Sequence, residues 1–181
     1  MFRRFRNNNP VQNPLNEAQM AMLVRANQLV TNNQPGQAAP LFASLAVQME
    51  NSNHPRRAAN LHARAAHAYA DSQDEALALA HAQSALRLFI RWQMTARTPV
   101  FYANITRKMN ARGMPSAVAA LQKEFGAAAV GAPAAQPTPQ RHGSLPTACP
   151  KCGAPLRSDE ATWVDVQTAE CEFCGALVKA E

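Results

Sequence analysis

All four cysteines of the chain fall within its last thirty-three residues, as Cys149-Pro150-Lys151-Cys152-Gly153 and Cys171-Glu172-Phe173-Cys174-Gly175. Two residues between cysteines let a tight turn aim both sulfurs at one ion. Eighteen residues separate the pairs, a spacing that reads as a tetrahedral thiolate site for one structural Zn2+ with Cys149, Cys152, Cys171 and Cys174 as ligands. The glycine after each pair frees the backbone for left-handed dihedrals, which bring its amides near the sulfurs. Four thiolates close the coordination sphere and leave no position for water or substrate, so the expected role is structural, not catalytic. Neither pair opens a helix after a strand, where a redox CxxC usually gains its stabilised thiolate.

Other candidates for chemistry are weaker. His54, His62, His67 and His81 fall in helical sequence, and His62 and His67 are five apart, about 500° around a helix, so they do not share a face. They read as surface or hydrogen-bonded histidines. No Walker loop, GxSxG or GxGxxG is present, and no carboxylate pair suggests acid–base work. The expectation is a protein without enzymatic activity.

Charge divides the chain. Residues 1–125 carry fourteen Lys/Arg and six Asp/Glu, a net +8, whereas residues 149–181 carry three and six, a net −3. Zinc-bound thiolates make the cysteine module more acidic still, so any polyanion should meet the N-terminal part. Arg87, Arg91 and Trp92, followed by Arg107, Lys108 and Arg112, form the candidate basic strip. Charge pairing with helix C-termini is its plainer explanation. No apolar run is long enough to span a bilayer, and a cytoplasmic location is expected.

The elements that position these residues are mostly helical, as expected of an alanine-rich chain poor in aromatics. A basic, Asn-rich arm covers residues 1–13, with Phe2 and Phe5 interleaved among arginines. Apolar periodicity predicts helices over about 14–32, 37–51, 55–71, 74–96, 99–112 and 115–125, together a helical domain over 14–125. Pro40 suits the second helix only if it lies in the first turn. Thr98-Pro99 reads as N-cap and first position of the fifth. Residues 126–146, rich in Ala, Pro and Gly, read as a linker, and 147–181 as the cysteine module.

Two resemblances follow from these residues. Ala26, Leu29, Ala38, Phe42 and Leu45 have the small–large spacing of a tetratricopeptide unit, and Ala66, Tyr69, Ala78, Ala82 and Ala85 repeat that order forty residues later. The helical part thus resembles a tetratricopeptide-like array of about six helices, departing from the usual thirty-four-residue period. Residues 147–180 resemble a zinc ribbon, with Trp163 as filler against the metal hairpins. An iron site of the rubredoxin kind is the chemical rival, usually with a wider gap and more aromatics. The resemblances imply a protein–protein interaction adaptor whose helical groove takes a protein partner, with the ribbon tethered and docking elsewhere. The alternative is a nucleic-acid- or ribosome-associated factor that binds RNA or DNA through the basic helical face.

Overall fold

Every twenty residues the chain stops a helix in the same way. Asn33, Asn53, Gln73, Gln93 and Gly113 all have φ between +52° and +73°. In each turn the next amide reaches back five residues: Gln34 to Leu29, His54 to Met49, Asp74 to Tyr69, Met94 to Phe89 and Met114 to Met109, at 2.8–3.0 Å. This is the Schellman closure, in which one left-handed residue lets orphan carbonyls be satisfied and turns the chain sharply. The described residues of this computed structural model are 15–95, 97–130, 143–158 and 161–180, so the arm expected at 1–13 lies outside them.

Between these stops run α1 (Glu17–Thr31), α2 (Pro35–Asn51), α3 (Pro55–Asp71), α4 (Glu75–Arg91), α5 (Arg97–Ala111) and α6 (Pro115–Val130). Starts are as local as stops. Asn16 and Gln19 form a reciprocal capping box on α1, and Asp74 accepts from the Leu77 amide at 3.0 Å on α4. Pro35, Pro55 and Pro115 stand first in their helices, where a missing N–H costs nothing.

Three helix boundaries and the place of Pro40 differ from the sequence expectation. Helix α4 ends at Arg91, not Ala96, because Gln93 turns the chain without glycine or proline. Helix α5 already includes Arg97, with the Thr98 hydroxyl bonded to the Met94 carbonyl at 3.2 Å. Helix α6 continues through Gly126 to Val130, so residues 126–130 are not linker; a run of alanines prolongs a helix already begun. Residues 131–142 of the expected linker lie outside the described residues. Pro40 is the sixth residue of α2, in its second turn, where it deletes only the bond to the Gly36 carbonyl.

The helices form three antiparallel hairpins, α1/α2, α3/α4 and α5/α6, at a forty-residue period. Alanine sets how closely they pack. Ala58, Ala65 and Ala68 of α3 face α1 and α2, while Ala59, Ala66 and Ala70 face α4 and α5, all buried. Helix α3 is therefore enclosed from both sides. Phe42, Leu45 and Met49 fill the first core, and Leu86, Phe89, Ile105 and Leu121 the second. Ion pairs fasten the third hairpin to the second. Asp71 takes Lys108 at 2.5 Å and Arg112 at 2.8 Å, and Glu124 takes Arg87 at 2.7 Å. Much of the expected basic strip is thus paired along the array, each partly exposed pair contributing at most about 1 kcal/mol.

The C-terminal module is a three-stranded antiparallel sheet, β1 (Thr162–Trp163), β2 (Thr168–Glu170) and β3 (Leu177–Lys179), in the order β1-β2-β3. It is not a separate body. Leu145, Cys149, Cys152, Ala154, Ala169, Cys171, Cys174 and Val178 join the same buried cluster as α1, α2 and α3. The turns carry a test. Replacing Gln73 or Gln93 by glycine removes the left-handed strain and should stabilise the fold by about 1 kcal/mol each. Gly113→Ala, where open space leaves only backbone strain, should cost about as much, read from urea midpoints.

Candidate metal centre

The two cysteine turns are built alike. The Cys149 amide donates to the Ala154 carbonyl at 2.7 Å, and the Gly153 amide to the Cys149 carbonyl at 2.8 Å. Twenty-two residues on, the Cys171 amide donates to the Ala176 carbonyl at 2.8 Å, and the Gly175 amide to the Cys171 carbonyl at 2.7 Å. Gly153 and Gly175 supply the required left-handed backbone, φ +72° and +75°, as their places in the sequence implied. The first turn is closed by the Ala148–Pro155 bridge, the second by β2 and β3.

These turns bring all four sulfurs together. Cys149 lies 3.8 Å from Cys174, Cys152 lies 3.8 Å from Cys171, and all four fit within 4.8 Å of one another. A metal–sulfur bond of about 2.3 Å puts the edge of a tetrahedron near 3.8 Å, so the cluster fits one tetrahedral ion. Disulfides, at about 2.05 Å, do not fit. Every cysteine is buried. Among the described residues, no other group of three or more His, Cys, Asp or Glu ligands is close enough to share an ion. Contact with the other sulfurs, aided by the Cys152 amide, pulls the Cys149 thiol far below its ordinary range, while the same contacts push Cys152 up. Four buried sulfurs at this spacing suit one divalent cation, and the ion would supply folding energy to a small sheet.

The module sits on the face made by the odd-numbered helices. From α1, the Asn27 side-chain amide donates to the Cys152 carbonyl at 2.5 Å. From α3, Arg57 reaches Glu170 at 3.2 Å, and the Arg64 guanidinium lies between the rings of Phe42 and Phe173, 4.7 and 5.4 Å from their centroids. From the start of α5, Arg97 pairs with Glu172 and donates to Asn60. Arg57 is only 1% exposed, and its guanidinium occupies the space where a side chain on Gly175 would stand. The charge asymmetry of the sequence thus meets itself: the basic array binds the acidic module. Trp163 packs against the shared core, as expected, with its indole N–H donating to the Ser158 carbonyl at 3.1 Å.

The histidines hold a feature that spacing along one helix does not show. His62 of α3 and His81 of α4 meet through their Nδ1 atoms at 2.8 Å, one donating and the other accepting. Glu50 of α2 lies 3.4 Å from His62 Nε2, and His81 stacks on Tyr69. Burial pushes His62 and His81 down to about 4, the neighbouring imidazole adding to this for His81, so both are neutral near pH 7. His67 lies edge-on to Phe101 and is also pushed down to about 4, chiefly by burial. The three belong to helix packing. Compared with protein-family models, curated proteins and solved structures, the chain matches none.

Two outcomes follow for the site and its surroundings. Gly175→Ala collides with Arg57 and strains a left-handed backbone, so it should cost about 1–3 kcal/mol and speed metal loss to a chelator. Gly153→Ala meets only the Asn27 Cβ at 3.7 Å and should cost less. The unfolded chain binds protons at histidines with pKa near 6.5 that the folded chain keeps neutral down to about 4. Their contribution is whole above pH 6.5 and lost as pH falls toward 4. His81→Gln should therefore flatten the stability profile over that range, measured by urea unfolding at successive pH values.

Proposed function

We propose that the protein is a non-enzymatic interaction adaptor, a tetratricopeptide-like array of helical hairpins closed on one face by a zinc-ribbon module with one structural Zn2+. The observation that carries this reading is the placement of the four buried thiolates. They close the coordination sphere and are spent on pressing a module against helices, an architectural use of a metal. Four sulfurs at tetrahedral spacing suit zinc, and the compartment that keeps such thiols reduced is the cytoplasm. The partner would be a protein meeting the array away from the covered face, where Ile90 and Trp92 are partly exposed at the α4–α5 turn.

The second reading, RNA or DNA binding through the basic face, loses support from the pairing of that face. Arg57, Arg97, Lys108, Arg112 and Arg87 all meet carboxylates within the molecule. Fewer cations are then available to release counterions from phosphates than the net charge suggests.

Two measurements on the full metal-loaded chain test this. Elemental analysis should give one zinc per chain and no visible absorbance; an iron chromophore contradicts the metal assignment. Purification from native cells with cross-linking should recover a discrete protein contact, and binding to mixed-sequence RNA should vanish by about 0.15 M salt. RNA affinity that persists there, with no protein contact, overturns the adaptor reading in favour of the nucleic-acid one.

A further inference from the structure

Four contacts from the helical array converge on the cysteine turns. Asn27 holds the Cys152 carbonyl, Arg57 packs over Gly175, Arg64 lies against Phe173, and Arg97 grips Glu172. Two of these, Glu172 and Phe173, are the residues inside the second CxxC. We propose that the helical array is the outer shell of the metal centre, so that metal binding and closure of the module over α1, α3 and α5 form one linked equilibrium.

Charge gives the first reason. Four thiolates around one divalent ion leave a net charge of −2 in a buried site, which needs cations nearby. The module offers few: Lys151, Arg157 and Lys179 are its basic residues, opposed by six acids. The array brings Arg57, Arg64 and Arg97 to the second turn. The Arg64 guanidinium lies 5.4 Å from the ring of Phe173, inside the second turn. The rings of Phe42 and Phe173 hold that guanidinium, and among the described residues it has no carboxylate partner.

Geometry gives the second reason. The positions that the array grips are defined by the metal, because each turn is ordered by ligation of its own sulfurs. Without the ion the turns lose their common anchor, and Glu170, Glu172 and Phe173 lose the arrangement that Arg57, Arg97 and Arg64 recognise. Reciprocity then requires that docking tighten metal binding by the same factor that metal tightens docking. Release of the ion uncovers an arginine-bearing face on α3 and α5. This inference rests on the metal site, not on the identity of any partner.

The test uses the full chain and zinc itself as probe. Zinc affinity is measured by competition with a chromophoric chelator for the native protein, Arg64→Met, Arg97→Ala and, as a control away from the module, Arg87→Ala. Arg64→Met and Arg97→Ala should each bind zinc about tenfold more weakly or worse, with Arg87→Ala unchanged. Because a variant can lose structure, the native chain is also treated with an arginine-selective dicarbonyl before and after chelation, and modified peptides are mapped. Arg57, Arg64 and Arg97 should be protected with zinc and modified without it, while Arg25 reacts equally in both. Equal zinc affinities in folded variants, or arginine protection that survives chelation, would overturn the proposal.

Discussion

A guanidinium buried to 1% exposure, over a glycine that has no room for a side chain, is the constraint on which the arrangement of this molecule depends. A charge taken that far from water is costly unless it is paired and hydrogen-bonded. Glu170 of β2 meets Arg57 from the opposite side at 3.2 Å. Glu170 in turn stands beside Cys171, whose position depends on the other three sulfurs. The array therefore holds a buried charge that the module pairs, and the module holds a cysteine cluster beside which the array places guanidinium groups.

The array can provide such a face because its helices are laid out by local rules. A left-handed residue every twenty positions gives helices of nearly equal length, and hairpins repeat every forty. Odd-numbered helices consequently share one side. Asn27 of α1, Arg57 and Arg64 of α3, and Arg97 of α5 come from three helices yet address one small sheet. Alanine at the contacts of α3 lets its neighbours approach closely, so that the helix carrying two of these arginines is enclosed by both cores. The third hairpin is tied on more loosely, by ion pairs at Asp71 and Glu124 as well as by apolar packing.

Much of this was legible in the residues, and what was not has physical causes. The cysteine spacing is a local pattern, and its four members do converge. Most helix ends carried a proline, glycine or asparagine. The turn at Trp92-Gln93-Met94 carries none, so its left-handed residue passes for helix, and the alanines after Gly126 pass for linker. The forty-residue offset was visible as spacing, but its cause, one identical closure per helix, lies in backbone dihedrals. His62, His81 and Glu50 sit on three different helices, so no periodicity within one helix relates them. The opposite charges of the two halves were visible as well. Their meaning was not, because a basic surface reads equally as a site for an external polyanion or as a seat for the chain's own acidic segment, and only the packing distinguishes them.

The central claim is that Arg57 and Glu170 join the array to the metal module across a buried contact. A double-mutant cycle on the metal-loaded full chain measures it most directly, with Arg57→Met, Glu170→Gln and the pair compared by urea unfolding of the helices. A buried charge pair should show a coupling of about 1–3 kcal/mol, the double variant being destabilised by less than the sum of the two single changes. Strictly additive effects, with no coupling beyond about 0.3 kcal/mol, would contradict the account.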